Sequence, residues 1–549
     1  MTTDRRERMT GGEAIVRSLL AHGVDTMFAI PGVQTYTLFD ALQRAGSRVK
    51  VIGPRHEQTT AYMAFGYAKS TGKVGVYSVV PGPGVLNASA ALCSAYGASA
   101  PILCVTGQVP AAFIGSGKGH LHELPDQLAT LRTLTKWAAR IEHPTEAPGL
   151  VAEAFRQMTS GRPRPVSLEM PWDVFGMMAP VGAIVPAAPA PPLEPDGESI
   201  ERAVRLLEDA TNPMIMVGSG AQHAAQEVLE LAELIQAPVV PFRGGRGIVG
   251  DDHPLGFTCA SGFKRWAQTD VLIGIGSRLE LQWFRWPDQP AQLKIINIDI
   301  DPTQTARMRP DVAIVADARV AVKQLASAGR QGGLGRASRH DEFQAVKDRT
   351  RAEARKVQPH VEYLEAIRQA LPRDGFFVEE ICQAGFTSYF SFPVYQPRTF
   401  VTCGHQGTLG FGFPTALGVK VGNPDKAVVS IAGDGGFMFG VQDLATAVQY
   451  GINVVSIVFN NNAYGNVLRD QQRLFDGREI GARLRNPDFV RLAQSFGVAA
   501  RGVSTPDQLR AGLAEALNRD APALIEVAIE TGSEVSPWEF LMPPASRRP

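Results

Sequence analysis

Short apolar runs recur along the chain, each followed by a polar or glycine-rich break. Val74-Gly-Val-Tyr-Ser-Val-Val80 precedes Pro81-Gly-Pro-Gly84, and Ile102-Leu-Cys-Val-Thr106 follows. Met214–Val217, Val271–Ile275 and Lys294–Ile298 repeat the pattern in mid-chain, and Ala427–Ala432 and Val454–Phe459 near the end. Runs this short and this apolar predict buried strands, and the helical periodicities between them predict crossover helices. Strand–helix–strand alternation of this kind implies α/β architecture: doubly wound parallel sheets covered by helices. Ligands of such sheets sit at the carboxyl ends of the strands.

Two stretches break the alternation. Ala179 to Pro195 reads APVGAIVPAAPAPPLEP, and Ser327 to Arg339 reads SAGRQGGLGRASR. Rich in Pro and Ala, or in Gly and Arg, they are expected to be linkers rather than packed elements. They divide the chain into three domains, expected at residues 8–178, 196–327 and 360–545, which suits a length of 549 residues at ~150 per domain.

Composition narrows the function class. Apolar residues make up 44% of the chain and the formal net charge is zero. With no block of one sign of charge, neither nucleic acid nor a membrane surface is the expected partner. The five cysteines show no CxxC spacing, so disulfides and structural zinc are not expected. The N-terminal MTTDRRERMTGGEAIV lacks the apolar core of a signal peptide, and no apolar run approaches a membrane span. The expected location is the cytoplasm.

The chemistry concentrates at the ends of two strands. Gly433-Asp434-Gly435-Gly436 follows one, and Asn460-Asn461-Asn462-Ala463-Tyr464-Gly465 follows the next. Asp434 and Asn461 are 27 residues apart (461 − 434), about one strand–helix–strand unit with Gln442–Tyr450 as the crossover helix. If the strands are neighbours, both side chains enter one crevice. The glycines let backbone N–H groups approach a ligand, and a helix N-terminus there favours phosphate. One carboxylate, one amide oxygen and a nearby carbonyl suit a hard cation that shares a diphosphate.

This pair resembles the GDG…NN motif of thiamine diphosphate (ThDP) enzymes. The resemblance implies Mg²⁺ held by Asp434, Asn461 and the carbonyl of Ala463, with Gly433, Gly435, Gly436, Tyr464 and Gly465 around the diphosphate. It extends over most of the chain. Arg55-His-Glu-Gln and the following Gly66-Tyr-Ala68 resemble the family's glutamate segment and put Glu57 on its catalytic acid. A carboxyl group hydrogen-bonded to the aminopyrimidine ring can pass a proton. Pro31 and Gly32, Pro81 and Gly84 with Asn87, and Gly404-His405-Gln406 through Leu409 resemble other cofactor-contacting segments, with Leu409 where the family supports the bent cofactor. Gln383 aligns with a diphosphate contact. The resemblance also implies at least a homodimer, and often a homotetramer, with each site shared between subunits.

Within the family the order of motifs is similar to acetolactate synthase, but the substrate positions depart. Leu121-His122-Glu123 replaces an FQ-containing stretch, Asn466 stands for a Met and Asp470 for a Trp. Polar groups thus replace the apolar wall for a second keto acid. Gln34, His120 and His122 are expected near the reacting centre, where a histidine can trade protons near neutral pH. The other reading makes them loop histidines bonded to backbone. Phe386 to Phe392 either walls the pocket or belongs to the core. In the central domain Gly218-Ser-Gly-Ala-Gln-His223 lacks the third glycine of a dinucleotide fingerprint. Synthases carry FAD there. Arg243–Arg246, Gly276–Arg278 and Asn297–Asp301 fall where contacts would lie, and FAD, ADP, another nucleotide or nothing remain open.

The expected function is a ThDP- and Mg²⁺-dependent lyase or carboligase acting on a 2-oxo acid. A lyase or hydrolase of hydroxy ketones or diketones is an alternative. From other classes come a nucleotide-binding oxidoreductase and a non-catalytic scaffold.

Overall fold

The computed structural model describes residues 6–545. Three parallel sheets follow one another along the chain. The first orders its strands Lys50–Ile52, Thr26–Ala29, Gly75–Val79, Ile102–Gln108, Val166–Pro171, Trp137–Arg140. The second runs Val239–Pro241, Met214–Val217, Val271–Ile275, Lys294–Asp299, Val312–Val315. The third runs Phe400–Val401, Phe376–Val378, Val428–Gly433, Val455–Asn460, Ala523–Ala528, Ala499–Val503. The apolar runs of the sequence fall on these strands, most of them buried on both faces, as parallel sheets require.

The linkers differ from expectation at their edges. Met178–Val181 is a strand, paired antiparallel with Glu7–Thr10, so the first linker begins as structure. Its Ala179 and Val181 alternate inward, and the partner lies at the other end of the domain, which no local pattern reveals. Helix Ala318–Gln331 also runs into the second linker, because Ala326 and Gly329 pack inward. Gly329 leaves room for Leu334, whose Cδ1 would lie 2.8 Å from a β-carbon there.

Helix Glu57–Thr71 of the first domain crosses helix Gly412–Gly422 of the third at glycines. A β-carbon on Gly66 would lie 2.1 Å from the Thr415 carbonyl oxygen, and one on Gly418 would lie 2.0 Å from that of Met63. The two backbones therefore touch, joining the first and third domains at the middle of the Glu57 helix. Arg246, fully buried, joins the second domain to the third by donating to Asp251 and to the carbonyls of Ser388, Tyr389 and Phe392. The Phe386–Phe392 stretch forms most of helix Gln383–Ser391 and is core: Phe390 and Phe392 are buried, and Phe386 packs on Trp538.

Candidate functional site

Strands Val428–Gly433 and Val455–Asn460 are neighbours, with Gly433 level with Phe459. The loops after them therefore start side by side, and both open at the carboxyl edge of the sheet. Asp434 begins the helical turn Asp434–Phe437 and is almost fully buried. Its Oδ1 accepts from the Gly435 amide at 2.8 Å, and its Oδ2 from Asn486 Nδ2 at 2.7 Å. The amides of Ala463 and Asn462 also face the carboxylate. Burial raises its pKa despite these donors, a cost that a bound cation removes.

Asn461 is buried beside it. Its Nδ2 donates to Glu534 Oε2 at 2.6 Å, which turns Oδ1 toward the Ala463 amide, 3.0 Å away. Glu534 is held in turn by His360 Nε2 at 2.6 Å. The loop is fixed from outside as well: Tyr464 donates its amide to Ala482 and Leu484 donates to Asn462, both at 2.8 Å. Space is reserved by glycines. A β-carbon on Gly435 would lie 2.4 Å from the Tyr464 ring, and one on Gly465 would lie 2.6 Å from Asn461 Nδ2. Among the described residues no cluster of three His, Cys, Asp or Glu could hold a metal by itself. The donors here are of another kind: one carboxylate, one amide oxygen and the Ala463 carbonyl beside an open glycine turn. That set fits a hard cation with a diphosphate supplying the rest.

Leu409 lies against this turn, its Cδ2 3.6 Å from a β-carbon position on Gly436. The segment that carries Leu409 is clamped by Glu380, whose buried carboxylate accepts from the amides of Gly410 at 2.6 Å and Gly412 at 2.8 Å. Gln383 is buried nearby. With its amide oxygen toward Arg469 it accepts from Nη1 at 2.5 Å. Arg469 and Asn466 sit on helix Gly465–Leu474. Asn466 Oδ1 accepts from Arg469 Nη2 at 2.5 Å and from Trp538 Nε1 at 2.8 Å, while its Nδ2 faces Asp470 at 3.4 Å. Two of the positions that depart from the synthases, Asn466 and Asp470, thus join one polar network with Arg469 and Trp538.

A second group gathers in the first domain. Glu57 is the first residue of its helix, which His56 caps by accepting the Gln58 amide at 3.1 Å. Glu57 Oε2 accepts from Asn87 Nδ2 at 3.0 Å. Gly84 lies beside it, its β-carbon position 3.7 Å from Glu57 Cγ, at the start of the helix that follows Pro81. Gly32 lets the chain pass Val80, which would lie 2.2 Å from a β-carbon, and Pro31 precedes it at the end of the neighbouring strand. Gln34 and His122 touch each other here, at 3.1 Å. His120 instead stacks on Phe113, with its buried Nδ1 unpartnered. The side-chain hydrogen bonds of Glu57, Gln34 and His122 stay within the first domain, and those of Asp434 and Asn461 within the third.

His405 and Gly404 lie elsewhere, on a cleft of about 380 Å³ where the three domains meet. His405 Nδ1 accepts from Arg278 Nη1 at 2.5 Å, and Arg278 also donates to the Gly97 carbonyl at 2.8 Å. Gln406 follows and packs on Gly97. The cleft is lined by Gly218, Ser219, Gly276 and Asp299 from the central sheet and by Lys69, Arg162, Arg278 and Arg398. Burial and the neighbouring Arg162 and Arg164 bring Arg278 down to about 10, and burial beside Arg398 and Arg162 brings Lys69 down to about 8. Crowded cations of this kind fit an anionic ligand.

Asn486, Glu534 and Glu380 are absent from the motif-based expectation. Only the preceding pairing of Ala482–Leu484 with the asparagine loop brings Asn486 to Asp434, and nothing in the surrounding sequence signals it.

Comparison with known proteins gives three matches in chain order. The family model described as "Thiamine pyrophosphate enzyme, N-terminal TPP binding domain" matches residues 9–130, the central-domain model of the same family matches 200–325, and the C-terminal TPP binding domain model matches 380–527. The chain is 33% identical to the probable 2-ketoarginine decarboxylase of Pseudomonas aeruginosa, over 95% of this chain and 94% of that protein. It is 33% identical to the probable acetolactate synthase large subunit of Methanocaldococcus jannaschii, over 98% and 94%. It is 30% identical to the acetolactate synthase isozyme 3 large subunit of Escherichia coli, over 97% of each.

Proposed function

The chain belongs to the thiamine pyrophosphate enzyme family, as an acetolactate synthase-like enzyme, and from that premise we propose that it is a ThDP- and Mg²⁺-dependent enzyme that decarboxylates a 2-oxo acid bearing a polar side chain. When bound, the thiazolium supplies the electron sink for cleaving the bond beside a carbonyl. The chain's residues do the rest. Asp434, Asn461 and the Ala463 carbonyl hold the metal, the glycine turn receives the diphosphate, and Leu409 supports the cofactor. Glu57, steadied by Asn87, holds a proton toward the aminopyrimidine.

The observation that carries the substrate class is the network of Asn466, Arg469, Asp470 and Trp538 on the wall where synthases are apolar. Polar groups on a half-buried pocket wall favour a substrate that can hydrogen-bond to them over one that presents only apolar surface. The name of the P. aeruginosa relative points the same way, to a 2-oxo acid with a guanidinium tail.

Two chains would complete each site. Met438, Phe439, Val467, Leu474 and Phe475 are exposed around the third-domain group, and Leu86 and Leu121 around Glu57. A second copy that brings its Glu57 group to these side chains would cover both sets. The cationic cleft suits a nucleotide diphosphate. Heat release from purified protein separates the options: a flavin spectrum identifies FAD, and an adenine spectrum without flavin identifies ADP.

The test is an NMR product assay with ThDP, Mg²⁺ and a panel of 2-oxo acids, from pyruvate to 2-oxo-5-guanidinovalerate. Aldehyde or hydroxy ketone from a polar-tailed acid, with pyruvate poor, is the expected result. Acetolactate from pyruvate as the preferred product would overturn the substrate assignment.

A further inference from the structure

Gln34 is fully buried, which is unusual for a glutamine and calls for partners on both ends of its amide. It lies in the turn Val33–Thr35, against Gly107, where a β-carbon would meet its own Cβ at 2.8 Å. Its Nε2 donates to the Leu121 carbonyl at 3.1 Å. A carbonyl can only accept, so this bond fixes which end of the amide is nitrogen. Its Oε1 therefore faces His122 Nδ1, 3.1 Å away. An amide oxygen can only accept in turn, so His122 Nδ1 carries the hydrogen.

The loop around His122 is built to hold it still. His122 has a left-handed backbone, φ +66°, a region that few residues other than glycine occupy. Its carbonyl presses on Gly82, where a β-carbon would lie 2.6 Å away. Glu123 gathers the amides of Gly117, Gly119 and His120 at 2.8–2.9 Å, closing the loop on itself. Among the described residues Nε2 makes no hydrogen bond, and the ring is half-exposed.

We propose that Gln34 is a positioning residue that locks His122 in its Nδ1–H tautomer, so that Nε2 presents a lone pair to the substrate and relays the proton the reaction consumes. This rests on the decarboxylase assignment above. Loss of CO₂ from a 2-oxo acid to give an aldehyde consumes one proton, which ends on the carbon that bore the carboxylate. Nε2 takes that proton from solvent, the ring becomes imidazolium with Nδ1–H still donating to Gln34, and Nε2 then gives the proton up. Nothing is oxidised or reduced. Without Gln34 the ring can place its hydrogen on Nε2, where the neutral imidazole has no lone pair to offer.

The test uses full-length protein with ThDP and Mg²⁺, labelled with ¹⁵N-histidine. Solid-state ¹⁵N NMR reads the tautomer directly, with His122 assigned by the His122→Gln spectrum. In the wild type above pH 8, His122 is expected as Nδ1–H. In Gln34→Leu an Nε2–H population appears, and kcat falls about tenfold or more, within the range for proton-transfer groups, with ThDP affinity unchanged. Gln34→Glu keeps an acceptor at Nδ1 and is expected to keep the Nδ1–H tautomer. An Nε2–H tautomer in the wild type, or an unchanged tautomer and unchanged kcat in Gln34→Leu, overturns the proposal. Should no 2-oxo acid be turned over by the wild type, the decarboxylase assignment fails instead, and the NMR arm still reports whether Gln34 sets the tautomer.

Discussion

Asp443 Oδ1 accepts the backbone N–H of Arg55 at 2.7 Å, so the third domain grips the turn that carries Glu57 two residues further on. The other oxygen accepts from the Thr59 hydroxyl at 2.5 Å, and the side chain is fully buried, with its pKa raised by that burial. Replacing it with Ala leaves the Arg55 amide and Thr59 without their acceptor, at about 1–3 kcal/mol. Asp443→Ala is expected to melt at a lower temperature and to lose kcat more than cofactor affinity, since it frees the Glu57 turn and not the metal loop. Calorimetry and steady-state kinetics check both.

Asn486 is the only side chain that donates to the Asp434 carboxylate among the described residues. It also donates to Asn460 Oδ1 at 2.9 Å, tying the two strand-end loops together. Asn486→Leu is expected to weaken Mg²⁺–ThDP binding about tenfold, roughly 1.4 kcal/mol. Fluorescence titration of ThDP at fixed Mg²⁺ measures this.

Glu380 gives a pH prediction. Burial pushes its carboxyl up to about 7 from an ordinary value near 4.5, against the pull of the Gly410 and Gly412 amides. Folding therefore favours the protonated form. The stability this group contributes is fully present below about 4.5 and is lost as pH rises through about 7. Glu380→Gln should flatten that part of the stability profile of the cofactor-free protein, seen as a smaller fall in denaturation midpoint between those pH values than in the wild type. Parallel profiles would remove Glu380 as a titrating group.

Gly66 tests the helix crossing. A side chain there meets the Thr415 carbonyl at 2.1 Å, a backbone atom that cannot rotate away. Gly66→Val is expected to cost about 3 kcal/mol or more, the upper range of overpacking, and to separate the first and third domains. Thermal denaturation and limited proteolysis report it.

Much of this was legible in the sequence because the signals were local. The apolar runs mark parallel strands wherever both faces are buried, so Val271–Ile275 and Val428–Gly433 follow from composition alone. Asp434 and Asn461 were legible because glycines and asparagines mark strand ends, and their spacing measures one crossover. Asn486, Glu534 and Asp443 were not. Each is a single polar residue whose role depends on a distant segment folding onto it. The pairing of Ala179 with Met9 is hidden in the same way, since its partner is in another part of the chain.

Asp434, Asn461 and Ala463 are expected to form the seat for Mg²⁺ and a diphosphate. Isothermal titration of ThDP into the wild type and Asp434→Ala, each with and without Mg²⁺, tests it most directly. Tight, Mg²⁺-dependent binding is expected for the wild type, and weak binding that no longer responds to Mg²⁺ for Asp434→Ala. Equal, Mg²⁺-dependent affinity in both proteins would contradict it and place the cofactor elsewhere.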